Sequence, residues 1–153
     1  MQQSTTPTPS SSFTFTVLGK PAPQGSKRHV GRGVMVESSK RCKPWRQDVR
    51  HTALDLRPEG WYANMDAAIS ISVVFVFARP KNHFRTNGQL KPSAPTYCTA
   101  RIGDVDKLAR SILDSLAGVL FAADEQVINL IAQKRYANDR EQPCAIITVA
   151  AVN

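Results

Sequence analysis

The sequence has no apolar run near the ~18 residues that a membrane span needs, and no apolar signal core at its N-terminus. A cytoplasmic protein is therefore expected, with no membrane partner. It has three cysteines, Cys42, Cys98 and Cys144, far apart and with no CxxC or Cys/His ligand spacing. That excludes a disulfide framework and a zinc finger and leaves free thiols in a reducing compartment. There is no internal repeat, which excludes a repeat array. Acidic charge is scarce, with 12 Asp and Glu against 20 Lys and Arg, for a net charge of +8. At 153 residues the chain suffices for one domain with a real core and falls short of two.

The scarce acids are unevenly spread. Residues 1–60 hold ten basic against four acidic side chains, and residues 61–103 hold five against one. Residues 104–153 hold five against seven, so the basic excess lies wholly in the first two thirds. Basic segments beside a local acidic site suit an enzyme that binds a polyanion and cuts it with bound metal. A uniformly basic DNA-coating protein has no use for the acidic segment.

Residues 1–12, rich in Ser, Thr and Pro, are expected to be a disordered tail, with a single domain over 13–153. Residues 13–18 alternate as a strand, closed by Gly19, Pro21 and Pro23. A basic stretch follows, with Lys27, Arg28, Arg32, Lys40, Arg41, Lys43, Arg46 and Arg50. Its early Gly and Ser suit phosphate contact, although a solvated surface loop would read the same way. Residues 44–56 suit a helix with Pro44 in its first turn and Trp45, Val49, Ala53 and Leu54 on its apolar side. Residues 67–78 are β-branched and aromatic, a strand expected to be covered on both faces. The long loop 79–103 interleaves basic and aromatic residues, a pattern suited to nucleic acid. Strands are predicted over 127–136 and 144–152, pairing as a C-terminal hairpin. This order predicts an α/β (α+β) domain on a small mixed sheet of about four strands, with two helices mainly on one face.

The segment GDVDKLARSILDSLAGVLFAADEQV carries the chemistry. Val105, Leu108, Ala109, Ile112, Leu113 and Leu116 mark one face of a helix, while Asp106, Lys107, Arg110 and Asp114 lie on the other. Asp104 and Asp106 flank Val105 at the helix start, and Asp124 returns after a short connection. Carboxylates without Cys or His partners select a hard cation, Mg²⁺ or Mn²⁺, over zinc. A plainer reading stays open on local pattern alone. In it Asp104 is only an N-cap, Asp106, Arg110 and Asp114 form a charge ladder, and Asp124 and Glu125 form a turn.

The same segment resembles the signature of RusA-type Holliday junction resolvases, particularly those of phages and prophages. GKPAPQGSK, KPWRQDV and LKPSAP match further motifs of that family in order, so the resemblance spans about residues 13–150. It implies a homodimeric, Mg²⁺-dependent endonuclease with no small-molecule cofactor, cutting four-way DNA junctions by paired symmetric nicks in recombination and repair. For a phage-encoded chain it implies action in the bacterial host cytoplasm. Carried over, the catalytic and metal-binding acids are Asp104, Asp106 and Asp124. Arg110 stands where the family often has lysine, and its expected role is electrostatic, since arginine is no tunable proton donor. Lys27, Arg28, Arg32, Lys40, Arg41, Arg46 and Lys107 are the expected DNA contacts. Ala123 departs from the family, which has an acid there. The rival expectations are a non-catalytic DNA-binding module and a general branched-DNA nuclease.

Overall fold

The computed structural model describes residues 12–25, 27–29, 31, 35–37 and 40–152. Residues 1–11 of the expected tail and Arg32 lie outside them, as do the side chains of Lys27 and Arg28. The elements in order are β1 (Phe13–Leu18), β2 (Lys27–His29), β3 (Met35–Glu37), α1 (Cys42–Leu56), β4 (Ala68–Phe77), α2 (Val105–Leu116), β5 (Val127–Tyr136) and β6 (Cys144–Val152). Among the described residues no helix is long and apolar enough to cross a membrane.

The main sheet has four strands in the order β1-β6-β4-β5. It is mixed, because β4 runs antiparallel to β6 and parallel to β5. The expected hairpin of 127–136 with 144–152 does not form. Instead β4 lies between the two strands and pairs with each. The reason is burial. The β4 residues Ile69, Ile71, Val73, Phe75 and Phe77 are all buried on one face, and a central position covers them from both sides. A second small sheet, β2 against β3, was not visible in the basic stretch, where its three-residue strands are too short to set an alternation.

One face of the main sheet carries both helices. Phe15, Val17, Ile69, Ile71, Val73, Phe75, Ile147 and Val149 meet Trp45, Val49 and Ala53 of α1 and Leu108, Ile112 and Leu116 of α2 in a common core. The expected cover on both faces of β4 is found only at its end, where Phe75, Val76 and Phe77 are all buried. There Val76 packs with Ala137 and Cys144 in a small second cluster. All three cysteines are buried and none is in a disulfide.

Helix α1 starts at Cys42, two residues before the expected start. Pro44 permits this because first-turn amides have no partner within the helix. Leu54, expected on the apolar side, is exposed, and so is Val105, at 40%. Val105 is the first residue of α2, where the helix has not yet met the sheet, so its apolar side chain gains no cover.

Loop 79–103 is ordered by its first residue. Arg79 Nε donates to Ala137 O at 2.7 Å and Nη1 to Pro95 O at 2.7 Å, while its guanidinium lies over the Tyr136 ring. His83 Nδ1, 3.3 Å from Arg79 Nη1, accepts from the guanidinium, and its ring meets Tyr136 edge-on. Farther along, Tyr136 N donates to Thr96 O and Tyr97 bridges to Arg135, so the loop shields the C-terminal part of the outer edge of β5.

Candidate active site

The charged face of α2 opens onto a cavity of 590 Å³ lined by Gln24, Asp106, Ala109, Arg110, Leu113, Asp114, Asp124 and Leu130. Asp106, Arg110 and Asp114 recur every four residues, so one helix stripe delivers all three to the same wall. The buried stripe of Leu108, Ile112 and Leu116 fixes which way that face turns. Asp124 comes from a different element, a short 3₁₀ turn (Asp124–Gln126) that leads into β5.

Gln126 builds that turn. Its side chain is almost fully buried, at 5% exposure. Oε1 accepts the backbone N–H groups of Ala122 and Ala123 at 2.7 and 2.9 Å. Nε2 donates to Asn64 O at 2.6 Å and Ala67 O at 3.1 Å. One amide therefore ties the residues before Asp124 to the chain entering β4.

Asp114 and Asp124 are in hydrogen-bond reach of each other. Asp124 stays open to solvent at the cavity mouth, yet its pKa is raised above the usual carboxylate value. Partial burial is the main cause, with the charge of Asp114 and the hydrogen bond to it adding to it. Two carboxylates that crowd one wall favour uptake of a proton or a cation. Among the described residues the one ion pair is Arg135 with Glu141, so Arg110 neutralises neither aspartate. The expected ladder of Asp106, Arg110 and Asp114 is thus a shared face without ion pairing.

Asp104 is the N-cap residue of α2, exposed and outside the cavity lining. Its side chain makes no capping hydrogen bond, so its carboxylate is not spent on the helix end. The chain reaches it through Gly103, whose φ is +136°. A Cβ on Gly103 would lie 3.2 Å from Leu108 Cγ and 3.3 Å from Pro23 Cγ, so glycine is needed for both backbone and space. Lys134 Nζ donates to Gly103 O at 2.9 Å and pins this approach to β5.

Among the described residues no three of His, Cys, Asp and Glu are gathered tightly enough to hold an ion unaided. The donor chemistry nevertheless fits a hard cation. Asp106, Asp114, Asp124 and the Gln24 amide line one cavity and offer oxygen, with no sulfur or imidazole among the lining residues.

A second cavity, of 610 Å³, is lined by Gln24, Cys42, Lys43, Arg46, Gln47, Arg50 and Asp114. Gln24 and Asp114 belong to both cavities, so the acidic wall continues into a basic trough along α1. Lys43, Arg46, Gln47 and Arg50 share the helix face turned from the core. Of the expected DNA contacts, Arg46 lines this trough, Lys107 is half-buried beside the acidic wall, and Lys40 is exposed ahead of α1. Arg41 is diverted, its Nη2 donating to Lys20 O at 3.0 Å and Pro21 O at 3.1 Å. Lys43, Arg50, Asp114 and Gln126 were not among the expected site residues. The four-residue spacing of Asp114 from Arg110 and the helical spacing of Lys43, Arg46 and Arg50 were signals for three of them. Nothing local marked Gln126 as a structural tie.

Carboxylates facing a cavity that runs into a trough with Lys43, Arg46 and Arg50 make an arrangement suited to phosphodiester hydrolysis. A family model described as Endodeoxyribonuclease RusA matches residues 19–149, and the chain belongs to that family. It is an endodeoxyribonuclease. No curated protein matches the sequence.

Proposed function

We propose that the protein resolves four-way DNA junctions as a Mg²⁺-dependent homodimer, cutting opposed strands symmetrically in recombination and repair. Residues 13–153 act as one nuclease domain, residues 1–12 as a tail, and the site of action is the cytoplasm. The observation that carries this reading is the continuity of the acidic cavity with the basic trough through Gln24 and Asp114. A strand whose phosphates follow Lys43, Arg46 and Arg50 on α1 is led onto the carboxylate wall.

Asp104, Asp106 and Asp124 would hold the cation, with Asp114 within reach of Asp124. A Mg²⁺ or Mn²⁺ ion bound there would supply Lewis-acid polarisation of the scissile phosphate and a lower pKa for the attacking water. Arg110, on the same wall and free of any ion pair among the described residues, stabilises charge that develops on the phosphate oxygens. Lys107, in the preceding turn, and the basic residues Lys27, Arg28, Arg32 and Lys40 hold the flanking backbone. The apolar wall at Ala109, Leu113 and Leu130 limits water around the reacting phosphate.

A four-way junction has approximate two-fold symmetry, so a two-fold dimer supplies one site per cut strand. Ile128 and Ile131, exposed on β5 beyond the segment that loop 79–103 covers, support such an association.

Synthetic four-way junctions and matched duplexes, incubated with and without Mg²⁺, test the reading. Paired nicks in the junction alone, and only with metal, are expected. Binding without nicking at any metal concentration would indicate a non-catalytic module. Equal cutting of duplex and junction would indicate a general nuclease.

A further inference from the structure

Lys134 breaks the pattern of its own strand. On β5 it alternates with Ala132 and Tyr136, which both belong to the core that the helices cover. Across the sheet it is in register with Phe75, Phe75 with Ala145 and Ala145 with Val17, and those three are fully buried. A fourth apolar residue would complete this row, yet a half-buried lysine stands there. Lysine can lay its stem along such a row, but its ammonium still needs a polar partner.

The partner is the segment that leads into α2. Lys134 Nζ donates to Gly103 O at 2.9 Å, one residue before Asp104. The backbone of Lys134 holds the same segment, since its carbonyl accepts from Cys98 N at 3.4 Å. Main chain and side chain of one residue therefore fasten both ends of the stretch 98–103 to β5. Among the described residues no carboxylate pairs with the ammonium, so its charge is not there to balance an acid. Gly103 is closely packed at this point, with Leu108 and Pro23 against the place that a Cβ would take. Helix α2 opens from this fastening, and Asp104 and Asp106 take their places from it. The strand that provides it begins at the Asp124 turn.

We propose that Lys134 is a positioning residue for cleavage, acting through Gly103 O on the placement of Asp104 and Asp106. The inference rests on the reading of those two aspartates as catalytic. No bond or proton changes at Lys134. It holds backbone, and a small misplacement of a catalytic group is enough to slow the reaction.

The test is single-turnover cleavage of a synthetic four-way junction by the full chain in Mg²⁺, beside gel-shift binding of the same junction in chelator. Lys134→Met keeps a stem for the core and removes the donor. It should cleave about tenfold or more slowly, while binding the junction and melting as the parent does. Lys134→Arg keeps a cationic donor and should regain most of the lost rate. This rescue, with the split between rate and affinity, is what a merely structural role would not give. Unchanged cleavage in Lys134→Met would overturn the assignment. An equal loss of cleavage and binding would also overturn it, since the ammonium would then serve the DNA backbone. So would a Lys134→Arg chain that melts like the parent and cuts no faster than Lys134→Met. If Asp104→Asn and Asp106→Asn cut as fast as the parent, the reading beneath the assignment fails. If they are slow and Lys134→Met is not, this assignment alone fails.

Discussion

Gln126 Oε1 accepts the backbone N–H of Ala123 at 2.9 Å, one residue before Asp124. The same side chain reaches back to Asn64 and Ala67 at the entrance to β4. Replacing it by leucine strands buried amides and carbonyls on both segments. Gln126→Leu should destabilise the fold by about 2–4 kcal/mol, read by urea denaturation. Cleavage should fall further than stability explains, because Asp124 loses its fixed approach. A variant as stable and active as the parent would refute this role.

The carboxylates should separate cutting from binding. Asp106→Asn and Asp124→Asn should each lower junction cleavage by about a hundredfold or more, some 2.7 kcal/mol, while retaining junction affinity. Asp114→Asn should act in the same direction, given its place beside Asp124. Asp104→Asn should lower cleavage with no change in melting temperature, since no capping bond is lost. Single-turnover assays beside gel-shift binding measure both quantities.

Helix α1 offers a contrast within a few residues. Arg46→Ala and Arg50→Ala should weaken binding to junctions of any sequence, and each should reduce the salt-dependence slope by ~1. Arg41→Ala should leave that slope nearly intact, because its guanidinium is held by Lys20 O and Pro21 O. Its cost, about 1 kcal/mol, should appear in stability instead.

Arg135 and Glu141 make the pH-sensitive structural contact. Two parallel bonds join them, the second 2.9 Å long, and hold the Glu141 carboxyl below its usual value. A lowered carboxylate pKa adds stability that is present above the unfolded value and lost as pH falls through the folded one. Thermal stability should therefore drop below the usual glutamate range. Glu141→Gln should remove about 1 kcal/mol at neutral pH and flatten that part of the acid limb. An unchanged acid profile in the variant would remove the pair from the account.

Ala123 stands at the N-cap of the 3₁₀ turn, where its side chain can accept nothing. Ala123→Asp would bring a further carboxylate to the turn that carries Asp124. It should lower the melting temperature in chelator, through charge crowding, and widen the stabilisation that Mg²⁺ gives. Differential scanning calorimetry with and without Mg²⁺ reads both changes, and an unaltered response to Mg²⁺ would show that position 123 lies outside the cation's reach.

Much of the chain was readable in its local pattern. The alternation of FTFTVL, the β-branched run of β4 and the stripe of α2 each state a period, and each element formed where expected. The stripe also marked the charged face of the candidate site, since a helix with Leu108, Ile112 and Leu116 inward must turn Asp106, Arg110 and Asp114 outward together. Val105 and Leu54 show the limit, because a period marks an apolar residue without showing where along the helix the covering sheet lies.

The sequence by itself determined the elements, the one-sided basic charge and an all-oxygen donor set, because these depend on residues close together in the chain. Tertiary structure decided the partners. It put β4 between β5 and β6, brought Asp124 to Asp114, and spent Arg41 on two carbonyls. It also made Gln126 a tie between distant segments and Lys134 a tie between β5 and the approach to α2. Such contacts arise from competition among all segments for burial and hydrogen bonds at once, and no local period records its outcome.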